Sequence, residues 1–236
     1  MADSEMTAIV MGVHVLDVLV RPVEEIPEGQ GGKLVDEIRI TAAGSAGGAS
    51  LVLAKLGAKA RSAGAVGTDP VGDMLLRLLE RDGVDTSLLV RRSDVQTSAS
   101  VLPIRPTGER PAFHVVGANA TYGPDDAPWD DIAAATHLHL GGPEFMGGEA
   151  AARILFRARQ GRAVTSADIL APGDPGLLEW IAPAFPELDY LLPNDEQVLG
   201  CATAALVAQG LGTDHGDFDL DTVEELASRA PRRAAS

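Results

Sequence analysis

Residues 8–20 are almost continuously apolar, interrupted only by Gly12, His14 and Asp17, which is the pattern of a strand covered on both faces in a parallel sheet. Over 33–41 the pattern changes: Leu34, Val35, Ile38 and Ile40 stand among charged residues and predict a half-exposed strand. Residues 42–48 form a turn of glycine, alanine and serine that runs into a helix through Leu51, Val52, Ala54 and Leu56. After a strand at 62–66, Val71, Met74, Leu75, Leu78 and Leu79 recur at i, i+3, i+4, i+7 and i+8 and predict a helix with one buried stripe. Asp69 can cap that helix, Pro70 suits its first position and Gly83 ends it. Gly67 and Gly72 flank the turn where the chain needs positive φ or close approach.

Strands are predicted at 88–91, 97–104 and 111–116, the last two joined as a hairpin through Pro106-Thr107-Gly108-Glu109. The chain then alternates strand 136–140, helix 147–160, strand 163–169, helix 177–181 and strand 188–192. Such alternation predicts an α/β fold, a central and mostly parallel sheet flanked by helices, with 33–41 and 97–116 set apart as a small β lid.

Composition narrows the function. With 236 residues, 45% hydrophobic and 22% charged, the chain is expected to form one domain over 7–228, followed by a disordered tail at 229–236. A formal charge of -15 repels phosphate backbones and anionic lipid, so neither nucleic acid nor membrane is an expected partner. The acidic start Met1-Ala2-Asp3-Ser4-Glu5 and the lack of a long apolar run lead to the expectation of a cytoplasmic protein. One cysteine, Cys201, rules out an internal disulfide framework. His137 and His139 share one strand face, but with no third ligand nearby they read as ordinary strand-end residues. Asp217, Asp219 and Asp221 have calcium-loop spacing, yet Thr222 and Ser228 stand where such a loop needs glycine and glutamate, and a solvated tail fits better.

Five short motifs occur in order: Gly12-Val13-His14-Val15-Leu16-Asp17, Ala43-Gly44-Ser45-Ala46-Gly47-Gly48 with Leu56-Gly57, Gly67-x-Asp69-x-x-Gly72, Gly83-Val84-Asp85, and Leu192-Pro193-Asn194-Asp195-Glu196. In that order the chain resembles the ribokinase-like carbohydrate kinases, also called the PfkB family, collinearly from Ile9 to Gly200. The resemblance implies transfer of the ATP γ-phosphate to a hydroxyl of a small sugar or nucleoside, with ATP and Mg²⁺ as the expected cofactors. It implies that Asp17 binds substrate hydroxyls and that Gly44, Gly47 and Gly48 let the backbone approach the sugar. Asn119 is similar to a substrate-side asparagine, Asp168 to a phosphate-side carboxylate, and Asn194 with Glu196 to the Asn-x-x-Glu motif that organises water and magnesium.

The bare residues leave other readings open: a turn or cap for Asp17, an Asx turn for Asn119, a cap for Asp168 and a tight strand-to-helix turn for the glycines. The chain also departs from the family pattern. Gly48 replaces an asparagine, Gln197 occupies the glutamate position of Asn-x-x-Glu, and Gly141-Gly142-Pro143 has no counterpart to a sugar-binding glutamate. No Asp-Thr-x-Gly-Ala-Gly-Asp segment is present, so no catalytic base is assigned, the metal ligands are left unknown, and an internal deletion is expected with its join near residue 200. The two functions expected are an ATP-dependent carbohydrate kinase impaired by that loss, and a noncatalytic sugar-binding protein or kinase remnant. Lid strands pairing across a homodimer fit either one.

Overall fold

The apolar run at 8–20 is divided between two sheets, where sequence periodicity predicts one strand. In the computed structural model, which describes residues 6–169 and 175–193, β1 (Thr7–Gly12) ends at Gly12 and β2 (Val15–Arg21) begins a separate sheet. Gly12 has φ +130, and a Cβ there would lie 2.0 Å from the Gly141 carbonyl oxygen, so only glycine can make this exit beside its neighbour. Asp17 therefore stands inside a lid strand and not at the end of a core strand, a correction to the reading from periodicity.

The remaining elements follow in chain order: β3 (Glu37–Ala43), α1 (Ser45–Lys55), β4 (Lys59–Gly67), α2 (Pro70–Arg81), β5 (Asp85–Arg92), β6 (Ala99–Pro103), β7 (Phe113–Val115), α3 (Trp129–Ala134), β8 (His137–Gly141), α4 (Gly148–Gln160), β9 (Val164–Ile169), α5 (Pro175–Ile181) and β10 (Tyr190–Pro193). The central sheet has the order β10-β9-β8-β1-β4-β5, with every neighbouring pair parallel. The lid sheet has the order β3-β2-β6-β7, in which β2 runs parallel to β6 and antiparallel to β3. The α/β architecture and the β lid are thus as the alternation predicts. The lid hairpin is also present, with β6 antiparallel to β7.

Ile9, Met11, Leu138 and Leu140 pack against Ile154 and Leu155 of α4 in the main core. A second cluster joins Val66, Leu75 and Leu79 to Leu16 and Ala42, which anchors the base of the lid on α2. Of the predicted α2 stripe, Leu75 and Leu79 are fully buried, whereas Met74 is 44% exposed. Asp69 caps α2 by accepting from the Gly72 amide at 2.8 Å, and it also accepts from the Thr97 amide at 2.7 Å and the Thr97 hydroxyl at 2.8 Å. One carboxylate thereby fastens the helix start to the segment leading into β6. Burial alone would raise the Asp69 pKa, but these bonds and nearby Arg91 hold it below the ordinary value.

α1 starts at Ser45, so Gly47 and Gly48 lie in its first turn and not in a loop as the composition of 42–48 suggests. Short α3 carries no periodic signal of its own and is not foreseen in the sequence; Ile132 is its buried residue. Among the described residues no helix is long and apolar enough to cross a membrane. The expectations for Asn194, Glu196, Gln197, Cys201, the join near residue 200 and the tail lie outside the described residues.

Candidate functional site

From β1 the chain proceeds to β4 and β5 on one side, then returns to β8, β9 and β10 on the other, so the strand order reverses between β1 and β8. A reversal of this kind opens a crevice outside the carboxyl ends of the strands, the usual ligand position in an open α/β sheet. Gly12 pairs with Gly141 and Gly141 with Asp168, which places three strand ends in one row at that crevice. At the ordinary strand spacing Asp168 stands about 10 Å across the sheet from Gly12.

Val13 and His14 carry the chain from this row into the lid. The Val13 amide donates to the Gly141 carbonyl at 2.9 Å, and its own carbonyl accepts from the Ala46 and Gly47 amides at 3.0 and 3.2 Å. The first turn of α1 is therefore satisfied by protein backbone. A Cβ on Gly44, which has φ +86, would fall 2.5 Å from the Val13 oxygen, whereas one on Gly48 would meet nothing within 4 Å. Packing against Val13 thus accounts for glycine at 44, and of the three predicted glycines Gly48 borders open space.

His14 is fully buried, and its Nδ1 lies 2.9 Å from the Gly12 carbonyl. Burial pushes its pKa down to about 4, partly opposed by that carbonyl. Asn119, also buried, accepts from the His14 amide at 3.1 Å and donates to the His14 carbonyl at 3.0 Å. These backbone bonds make Asn119 a clamp on the passage between the sheets. In an unfolded chain His14 would titrate near 6.5, so between about pH 6.5 and 4 the unfolded state binds the extra proton. The stabilisation from keeping His14 neutral is complete above that window and is lost as pH falls through it. The expected loss is about 3 kcal/mol by the lower end. Urea unfolding midpoints taken from pH 7.5 to 4.5 should show this slope in the wild type and a weaker one in His14→Leu; equal slopes would remove His14 as its source.

On the lid, strand register places Asp17 opposite Thr41 on β3 and Ser100 on β6, and Ser100 opposite His114 on β7. The Ser100 hydroxyl lies 2.9 Å from His114 Nδ1. Burial raises the Asp17 pKa, while Ser100 and His114 act in the opposite direction. The result is a half-buried carboxylate flanked by hydroxyl and imidazole groups, a set suited to sugar hydroxyls. Ser100 and His114 are absent from the sequence-derived list, although pairing the predicted hairpin strands by register would have found them.

Asp168 occupies the other side of the crevice. The Gly142 amide donates to its Oδ1 at 3.2 Å, and His139 Nε2 is 3.7 Å from that oxygen, while His139 Nδ1 sits 2.9 Å from the Ser166 hydroxyl. His139 is buried and His137 lies at the strand start, so the two do not act as a pair. Among the described residues no group of three or more His, Cys, Asp or Glu could hold a metal ion. At this end of the sheet Asp168 stands with Glu144, which lies in the turn directly after β8.

A family model described as pfkB family carbohydrate kinase matches residues 7–210. The chain belongs to the pfkB family of carbohydrate kinases. An ATP-dependent ribose-1-phosphate kinase from Halopiger xanaduensis is 32% identical over 124 residues, which span 52% of this chain and 42% of that protein. The chain thus aligns with less than half of that relative's length. Among solved structures, a PfkB protein from Polaromonas sp. JS666 superposes with a TM-score of 0.73 at 22% identity, covering 88% of this chain and 74% of that one. Fructokinase from Xylella fastidiosa gives 0.70 at 19% identity, with 89% and 67% covered. Ribokinase from Thermotoga maritima gives 0.67 at 18%, with 94% and 68% covered. At these identities the superpositions establish the ribokinase-like fold of the pfkB family.

Proposed function

We propose that the chain binds a small sugar or nucleoside at the crevice between β1 and β8, with Asp17 gripping its hydroxyls, and acts as an ATP-dependent carbohydrate kinase. The observation that carries this reading is the placement of Asp17, Thr41, Ser100 and His114 on one lid face, joined directly to the strand-order reversal through Val13 and His14. Gly48 would leave room for the sugar and Asp168 would face the phosphates. ATP, when bound, supplies the phosphoryl group; Asn194 and Glu196 are the further residues proposed on its side. Ribose 1-phosphate, the substrate in the name of the Halopiger relative, is the first acceptor to test.

A second reading is favoured by one observation: the chain contains no Asp-Thr-x-Gly-Ala-Gly-Asp segment. Without the base, turnover should fall about 10²- to 10⁴-fold below that of a complete enzyme, leaving a protein that binds sugar with little chemistry. Pairing of two lids is part of either reading. Ile38, Ile40, Val101, Phe113 and Val115 all lie on the lid face opposite Asp17 and are 36–64% exposed, an apolar patch that a second copy would cover.

Thermal-shift titration with ribose, ribose 1-phosphate and nucleosides, each with and without magnesium-ATP, tests the proposal together with an ADP-release assay. An acceptor-dependent rise in melting temperature with ADP release supports the kinase. A rise without ADP release supports the binding module, and no shift with any acceptor would overturn both.

A further inference from the structure

Each lid strand contributes one polar residue to a single row. Register sets Thr41 of β3 opposite Asp17 of β2, Asp17 opposite Ser100 of β6 and Ser100 opposite His114 of β7, a row about 14 Å long at the ordinary strand spacing. Residues two apart along a strand share a face, so the next positions towards the lid tip are Arg39, Leu19 and Leu102, with Arg21 beyond them. On the strands that carry Asp17 and Ser100 the row is thus bounded by leucine.

The direction of one proton organises this row. Ser100 is buried, has a single hydroxyl proton, and stands between two groups able to take it, Asp17 and His114 Nδ1, the latter 2.9 Å away. If the proton points at His114, Ser100 turns its lone pairs on a half-buried carboxylate, which then lacks a donor it needs. If the proton points at Asp17, Ser100 must accept from His114, which carries its own proton on Nδ1. Ser100 and His114 both act to keep Asp17 ionised against burial, and an ionised Asp17 demands the second arrangement. Thr41 is committed in the same sense: its hydroxyl donates to the Ala42 carbonyl at 3.1 Å, so it has only lone pairs to offer a ligand. With Nδ1 protonated, neutral His114 likewise offers the lone pair of Nε2. A carboxylate has about four acceptor positions, so the one that takes Ser100 leaves room for ligand hydroxyls. The row is therefore made of acceptors. It suits an edge of adjacent hydroxyls, which donate, and sets lone pair against lone pair for a carbonyl or carboxylate.

We infer that His114 is a positioning residue for the acceptor site: its Nδ1–H holds the Ser100 oxygen, turns the Ser100 proton onto Asp17, and so restricts the row to ligand groups that donate. This deepens the kinase reading and rests on its placement of sugar hydroxyls at Asp17. Two measurements test it, one of them without a ligand. The Asp17 carboxyl carbon is followed by NMR against pH in the ligand-free protein, and binding of ribose and of adenosine is measured by calorimetry without nucleotide. The variants are Ser100→Ala, His114→Leu and His114→Asn; the asparagine amide nitrogen is attached to Cγ as Nδ1 is, and it can donate to Ser100 while carrying no charge. His114 is exposed, so neither change at 114 opens the core. The Asp17 midpoint should rise in Ser100→Ala and His114→Leu, because a donor that favours the ionised form is lost, and should stay close to wild type in His114→Asn. Binding should weaken about tenfold in Ser100→Ala and in His114→Leu, and again about tenfold in the double variant, because the two residues act as one unit. In His114→Asn it should stay within about threefold of wild type.

Equal Asp17 midpoints in His114→Leu and His114→Asn would reduce His114 to its charge and overturn the inference. So would an unmoved midpoint in Ser100→Ala, losses that multiply in the double variant, or no binding of either probe by the wild type. Failure of the kinase reading is distinguishable. Midpoints and affinities that move as expected without ADP release leave this inference standing and remove the kinase, whereas ADP release unaffected by Ser100→Ala and His114→Leu does the reverse.

Discussion

Asp17→Asn is expected to weaken acceptor binding by about 10²- to 10³-fold while leaving the melting temperature unchanged or slightly higher. The carboxylate can accept hydrogen bonds from two hydroxyls at once, each charge-assisted and worth about 1.5–3 kcal/mol. The amide keeps one acceptor oxygen, loses the charge and turns a donor towards one hydroxyl. Folding responds in the other direction because Asp17 is half-buried and burial already raises its pKa, so a neutral side chain removes a desolvation penalty. Calorimetric affinity and thermal melting measured on the same preparation separate the two effects. Binding within threefold of wild type would sink the assignment of Asp17 to the acceptor, and a collapsed melting temperature would make it a structural residue.

The second large effect is on folding. Gly12→Ala should destabilise the protein by at least about 4 kcal/mol, a large part of the 5–15 kcal/mol that holds a typical domain together. A side chain at φ +130 is strained in itself, and its Cβ would sit 2.0 Å from the Gly141 oxygen and 2.9 Å from the Gly141 carbonyl carbon. Neither atom belongs to a flexible side chain, so β1 and β8 would have to part, and the Val13 amide would lose its 2.9 Å bond to that same oxygen. Gly48→Ala is the comparison: its Cβ meets nothing within 4 Å, and in the first turn of α1 alanine should be neutral or stabilising by up to about 1 kcal/mol. Urea melts of both variants decide the matter, and a Gly12→Ala midpoint close to that of wild type would show that the strand exit relaxes without cost.

These two variants mark where sequence reasoning reached its limit. The α2 stripe, the Asp69 cap and the alternation of strands with helices are local patterns set by residues within one or two turns, and they are legible without a fold. The break at Gly12 is different. Val13 and Val15 are as apolar as their neighbours, and nothing local separates a strand that continues from one that changes sheets. The break follows from contacts made with Gly141 and with the start of α1, far along the chain. Asn119 reads from sequence as a substrate contact or an Asx turn, while its observed partner, His14, is 105 residues away.

From sequence alone came the α/β class, the β lid and the order of motifs that marks the pfkB family, because hydrophobic periodicity and turn chemistry are written in neighbouring residues. Only the tertiary structure decided that Asp17 belongs to the lid, that Ser100 and His114 stand beside it, and that Arg21 and Arg39 share its face. Strand register is the physical reason: a shift of one residue sends every side chain to the opposite face, and that choice is made by pairing between distant segments.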